Sequence, residues 1–233
     1  MIESQNEKNK RINEKITALK ALEQEMEAAD LPLKGSANLV FGEGNVDATV
    51  LFIGEAPGFN EDVQRRPFVG RGGQLLNAQI EAIGWKRADV YITNIVKRRP
   101  PENRDPLPEE IEAYKPFLAR QIDIISPKII VTLGRFSMNY FLPLAKITRD
   151  QGRAILLKEK NDPKNDPKND RIIYPVFHPA AALRNPEMMK GFVESFKKLP
   201  SVVSGDFGIE NAKEIDTSGG SGKKKCPRFR RII

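Results

Sequence analysis

An α/β architecture is predicted, a three-layer αβα sandwich with a central, mostly parallel four-stranded sheet, and two features of the sequence predict it. Four short runs, at residues 48–53 (ATVLFI), 89–93 (DVYIT), 128–133 (KIIVTL) and 172–177 (IIYPVF), have the length and β-branched content of buried strands. Helical patterns separate and follow them, at 73–84, 108–125, 135–142 and 187–198. Strands alternating with helices imply a parallel sheet covered on both faces.

Ahead of the first strand, residues 3 to about 29 read as a charged helix. Ile12, Ile16, Leu19, Leu22 and Met26 recur at spacings of three and four, so they share one face that is expected to pack on the domain. The stripe has too few heptads for a coiled coil, and Pro32 ends it. A glycine-rich turn at 54–58 follows the first strand. A proline-rich loop spans 97–108, and Pro108-Glu109-Glu110 opens the next helix with acidic residues where the helix dipole favours them. The stretch 158–171 (KEKNDPKNDPKNDR) carries a tandem NDPK repeat that cannot build a core and reads as a solvated loop. The expected organisation is a helix over 1–30, a single domain over 31–200 and a flexible basic tail over 201–233. The last eleven residues of that tail, KKKCPRFRRII, carry six Lys or Arg and one Phe.

Composition narrows the function. Hydrophobic residues make up 39% of 233, enough for one core. No apolar stretch reaches the ~20 residues that span a bilayer. MIESQNEKNKR lacks the apolar run of a secretory signal. A soluble, cytoplasmic protein is expected, nucleoid-associated in a prokaryote. The formal net charge of +7 favours polyanionic partners such as nucleic acid. Cys226 is the one cysteine, which excludes an internal disulfide and a multi-cysteine metal site. His178 is the one histidine, so any step needing an imidazole must use it.

In open α/β sheets, ligands sit beyond the carboxyl ends of the strands. Three polar segments fall at such ends: Gly54-Glu55-Ala56-Pro57-Gly58, with Glu61 and Arg66-Pro67-Phe68-Val69-Gly70 after it; Thr93-Asn94, with Lys97-Arg98-Arg99-Pro100-Pro101; and His178-Pro179-Ala180-Ala181-Ala182-Leu183-Arg184. Together they offer carboxylates, an aromatic ring, a carboxamide and an imidazole.

GEAPGFNEDVQRRPFVG, TNIVKRRPPENR and FHPAAALRNP resemble the signature segments of family 4 uracil-DNA glycosylases, the iron–sulfur type. VFGEGN and PKIIVTLGR look like that family too, so the resemblance covers roughly residues 20–200. It implies a uracil-DNA glycosylase-like fold and hydrolysis of the N-glycosidic bond of deoxyuridine in single- or double-stranded DNA, with the base flipped into a pocket. It also assigns roles. Gly54, Ala56, Phe68, Asn94 and His178 would hold the base, with Phe68 as the aromatic platform and Asn94 reading the uracil edge. His178 would stabilise the leaving base, and Glu55 or Glu61 would position water or balance charge on the sugar. Ala56 stands where other uracil glycosylase families carry an aspartate. Arg71, Lys97, Arg99, Leu183 and Arg184 would contact DNA, with Leu183 or Arg184 filling the gap left by the flipped nucleotide. Arg65, Arg66, Arg98 and Arg104 are further candidates for phosphate contact.

The chain departs from the family at its cluster. The four cysteines that hold iron and sulfur would fall at Ala28, Leu31, Arg98 and Tyr114, none of which supplies a thiolate. No cofactor is therefore expected, and Leu31 and Tyr114 are expected to pack where the cluster would sit. Other readings are a glycosylase for hypoxanthine or xanthine, and a catalytically silent sensor of uracil or abasic sites. A monomer is expected, and the C-terminal tail is read as holding DNA electrostatically, as taking a repair partner or as a solubilising tail that does neither.

Overall fold

Residues 4–158 and 170–211 are described by the structure, a computed structural model. The NDPK repeat and the tail from residue 212 onward, with Cys226, lie outside the described residues. The chain divides into two compact units, Met1–Pro127 and Lys128–Ile233, and the division falls inside the stretch expected as a single domain.

The first unit opens with helix α1 (Gln5–Ala28). Ser4 starts it: the Ser4 hydroxyl accepts from the Glu7 amide while the Glu7 carboxylate accepts from the Ser4 amide, a reciprocal capping box. Of the expected stripe, Leu19, Leu22 and Met26 are buried, whereas Ile12 and Ile16 are half-buried. Strand β2 (Val50–Gly54) runs parallel to β3 (Tyr91–Asn94), and the two-residue β1 (Glu43–Gly44) adds antiparallel to β3. The register sets Gly54 opposite Asn94, so both end at the carboxyl edge of their strands. Between β2 and β3 lie α2 (Phe59–Gln64) and α3 (Arg71–Ala82). Helix α4 (Pro108–Ile125) follows β3, with the predicted bounds and the predicted Pro and Glu in its first turn.

In the second unit β4 (Ile129–Leu133) pairs in parallel with β6 (Arg171–Val176). β5 (Ala154–Leu157) lies antiparallel to β6, and β7 (Ile209–Asn211) runs parallel to β5. Helices α5 (Arg135–Phe141) and α6 (Ile147–Asp150) lie between β4 and β5; α7 (Pro179–Ala182) and α8 (Pro186–Ser204) follow β6. The four predicted strands are present as β2, β3, β4 and β6, and β1, β5 and β7 are additions to them. The expected tail begins later than residue 201, because α8 continues through Pro200 to Ser204 and β7 follows. Its apolar face, Phe192, Phe196, Leu199 and Val202, stays buried past the proline, which forfeits only its own amide bond.

Candidate functional site

Gly54 has no room for a side chain. A Cβ there would stand 2.4 Å from both Asn94 Oδ1 and Phe68 Cζ. The glycine lets the Asn94 carboxamide and the Phe68 ring approach the end of β2 together. Asn94 is 1% exposed, and among the described residues neither its Oδ1 nor its Nδ2 has a hydrogen-bond partner. An unsatisfied buried polar group costs about 1–3 kcal/mol, and such a group in a folded protein needs a reason. A carboxamide with donor and acceptor both unmet can make two hydrogen bonds to a ligand.

The Phe68 loop is held from several sides. Phe68 itself has φ 52°, a left-handed conformation that a bulky residue rarely adopts. Gly73 on α3 allows it, since a Cβ at that position would fall 1.9 Å from the Phe68 carbonyl oxygen. Arg87 donates to the Pro67 carbonyl at 2.6 Å and is itself paired with Glu43. Sequence reasoning missed Arg87, whose setting in a charged turn carries no signal of a loop anchor.

Glu61, a candidate catalytic carboxylate, also holds this loop. Its Oε1 accepts from the backbone amides of Val69 at 2.9 Å and Gly70 at 2.8 Å, at the start of α3. That geometry gives it a positioning job. Glu55 and Ala56 lie half-buried at the mouth of β2, where the Glu55 carbonyl accepts from the Val96 amide.

In the second unit His178 caps α7. Its Nδ1 accepts from the Ala180 amide at 3.2 Å, so in the neutral ring the proton sits on Nε2. The ring packs against Gly134, where a Cβ would stand 3.0 Å from His178 Cβ. Leu183 is 38% exposed, and Arg184 beside it is exposed.

The basic residues sort by their surroundings. Lys97, expected at a phosphate, is fully buried and is corrected to a core residue. Its Nζ donates to the Thr93 hydroxyl, to Gln121 Oε1 at 2.6 Å and to the Phe41 carbonyl at 3.3 Å. This cluster braces the strand end that carries Asn94. Arg98 is buried as well, and Arg66 and Arg104 are neutralised by Glu43 and Glu110. Arg65 and Arg99 instead bond the neutral side chains of Asn38 and Asn103, and Arg71 is exposed.

Burial holds the Lys97 amine well below its ordinary pKa. Between that lowered value and the ordinary 10.5, the unfolded chain binds a proton that the folded chain does not. Its contribution to stability therefore rises with pH through that window. Urea unfolding of the native chain and of Lys97→Met at pH 7 and pH 9.5 is expected to show the native chain gaining on the variant at the higher pH. An unchanged difference would mean that Lys97 is not shifted.

An α/β chain with a glycine-floored aromatic and carboxamide at one pair of strand ends is what a base-excising class of enzymes presents. The family model described as the uracil DNA glycosylase superfamily matches residues 41–199. The chain is 49% identical over 168 residues to the type-4 uracil-DNA glycosylase of Sulfurisphaera tokodaii, covering 70% of this chain and 73% of that one. It is 46% identical to the type-4 enzyme of Saccharolobus solfataricus, over 72% of this chain and 77% of that one. Identity to the type-4 enzyme of Archaeoglobus fulgidus is 40%, over 71% and 82%. The chain belongs to the type-4 uracil-DNA glycosylase family, and its α/β fold is that family's.

A four-iron cluster of this family does not fit the residues present. Tyr114 is buried, its hydroxyl donating to the Pro32 carbonyl at 2.6 Å. The Arg98 guanidinium, also buried, donates to the Ala37 carbonyl at 2.7 Å and pairs with Glu27 at 2.8 Å. Ala28 and Leu31 offer no donor side chain. A cationic guanidinium and a phenol committed to a carbonyl supply no thiolate.

Proposed function

We propose that the chain hydrolyses the N-glycosidic bond of deoxyuridine in DNA, releasing uracil and leaving an abasic site for base excision repair. The observation that carries this reading is the buried Asn94 carboxamide with both polar atoms unpartnered, beside Phe68. Its oxygen can accept from uracil N3–H while its amine donates to O4. Cytosine presents the opposite pattern, so the same amide orientation rejects it. Phe68 stacks on the flipped base and limits room for the thymine methyl.

When the C1′–N1 bond breaks, its electron pair stays on the uracil and the sugar gains positive character. Donation from His178 Nε2–H to uracil O2 stabilises the departing anion, and water adds to C1′. His178→Ala is expected to lower kcat about a hundredfold, checked by single-turnover cleavage. With Glu61 tied to loop amides, Glu55 is the carboxylate proposed to position the water or balance the sugar. Ala56 supplies no base. Arg71, Arg99 and Arg184 contact phosphates, and Leu183 fills the gap in the stack. The enzyme acts without an iron–sulfur cluster, metal or diffusible cofactor. We further propose a cytoplasmic monomer, with the C-terminal tail taking a repair partner. Among the described residues, no helix is long and apolar enough to cross a membrane.

The test is cleavage of a labelled oligonucleotide bearing one uracil, in chelator, with matched hypoxanthine, xanthine, thymine and cytosine substrates and alkaline cutting of abasic sites. Cutting at uracil alone supports the reading. Cutting at hypoxanthine or xanthine in preference, or binding without cutting, overturns it.

A further inference from the structure

Helix α2 is inside out. Its carboxylates turn inward: Glu61 binds the Val69 and Gly70 amides, and Asp62 Oδ1 accepts from the Asn38 amide at 2.7 Å. Its large apolar residues, one turn apart, turn outward. Phe59 is 59% exposed and Val63 62%. A short helix whose acids are tied to backbone amides while its aromatic ring faces solvent offers an apolar contact surface.

The surroundings say what that contact is. The Arg99 guanidinium lies 5.1 Å from the centroid of the Phe59 ring. It is held there by Asn103, whose Oδ1 accepts from Arg99 Nε at 2.8 Å and whose backbone is left-handed at φ 55°. Arg65, at the end of α2, is exposed and bonded to the neutral Asn38. Among the described residues, Arg99 and Arg65 have no carboxylate as their hydrogen-bond partner, so each can serve a phosphate. An exposed aromatic ring with one guanidinium against it and another at the end of the same helix is complementary to an unpaired base and its neighbouring phosphates.

The geometry points to Phe59 as a stacking platform for a base next to the flipped nucleotide, with Arg99 and Arg65 on the flanking phosphates. This rests on the proposed action on DNA. It adds a contact to the strand outside the uracil pocket and implies a preference for substrates whose neighbouring base is unpaired.

The experiment uses a single-stranded oligonucleotide with 2′-fluoro-deoxyuridine, whose fluorine disfavours positive charge on the sugar and slows excision during binding. 2-Aminopurine is placed in turn at each position flanking the uracil. The native chain is expected to change the emission at one flanking position. Phe59→Ala is expected to lose that change and to bind about five- to a hundredfold more weakly by the same factor at every salt concentration, because stacking releases no counterions. Phe59→Tyr restores both. Arg99→Gln instead lowers the slope of log affinity against log salt by about one. Equal melting temperatures for the native chain and Phe59→Ala exclude misfolding. Unchanged affinity and emission in Phe59→Ala would overturn the proposal, as would a loss of self-association with DNA binding intact. A native chain that binds but fails to cut an unfluorinated uracil strand sinks the glycosylase reading instead.

Discussion

Replacing Asn94 with alanine is expected to lower kcat/KM for uracil excision about a thousandfold, roughly 4 kcal/mol of transition-state stabilisation. The loss is expected to be large because, in the role proposed for it, the carboxamide supplies both a donor and an acceptor to one base edge. The variant is also expected to melt no lower than the native chain. Asn94 is buried with both polar atoms unmet, so its folded state carries a penalty that alanine removes, against the modest loss of packing. A residue held for stability behaves the opposite way, losing melting temperature along with activity. Excision kinetics and thermal unfolding on one preparation check both halves. A variant that keeps the native rate would remove Asn94 from base recognition.

The second large effect concerns Arg98, one of the four positions where the family resemblance sets a cluster cysteine. Arg98→Ala is expected to destabilise the fold by about 3 kcal/mol, a fall of roughly 6–12 °C in melting temperature for a chain this long. The substitution leaves the Ala37 carbonyl without its donor and opens a cavity beside Tyr114. Glu27 keeps more than half its side chain in solvent, so its freed charge adds little. Arg98→Met is expected to lose less, because the aliphatic chain fills the space and buries no charge. Melting curves of the three proteins decide it. Equal stability for native chain and Arg98→Ala would mean that the guanidinium holds nothing together.

Much of this was legible in the sequence, for a local reason. Helix α4 could be bounded to the residue because Pro108 and two glutamates mark its start. Strands β2, β3, β4 and β6 announce themselves as apolar runs because they are buried along nearly their whole length. The strand-end residues Gly54, Asn94 and His178 were legible because ends of strands follow directly from strands. What stayed hidden depends on distant partners. Lys97 and Arg98 read as surface cations, since nothing near them in the chain announces Gln121, Phe41 or Glu27. Glu61 read as chemistry, since its amide partners lie eight and nine residues on. Helix α2 escaped detection because its apolar residues face outward and give no amphipathic signal toward a core. β5 and β7 are short strands of four and three residues, too brief to stand out by composition.

The Phe68 ring is fixed from beneath by residues with no side chains. Gly54 admits the ring, and Gly73 admits the carbonyl behind it. A mutation that enlarges either glycine displaces the wall instead of reshaping it. A shorter residue at 68 leaves a gap above two glycines that no rotamer of a neighbour is built to close. Drift toward a new base thus has to pass through several simultaneous changes, most of them damaging alone. With Phe68 as the proposed wall of the base pocket, this coupling would insulate the lineage against excising thymine, a base of intact DNA.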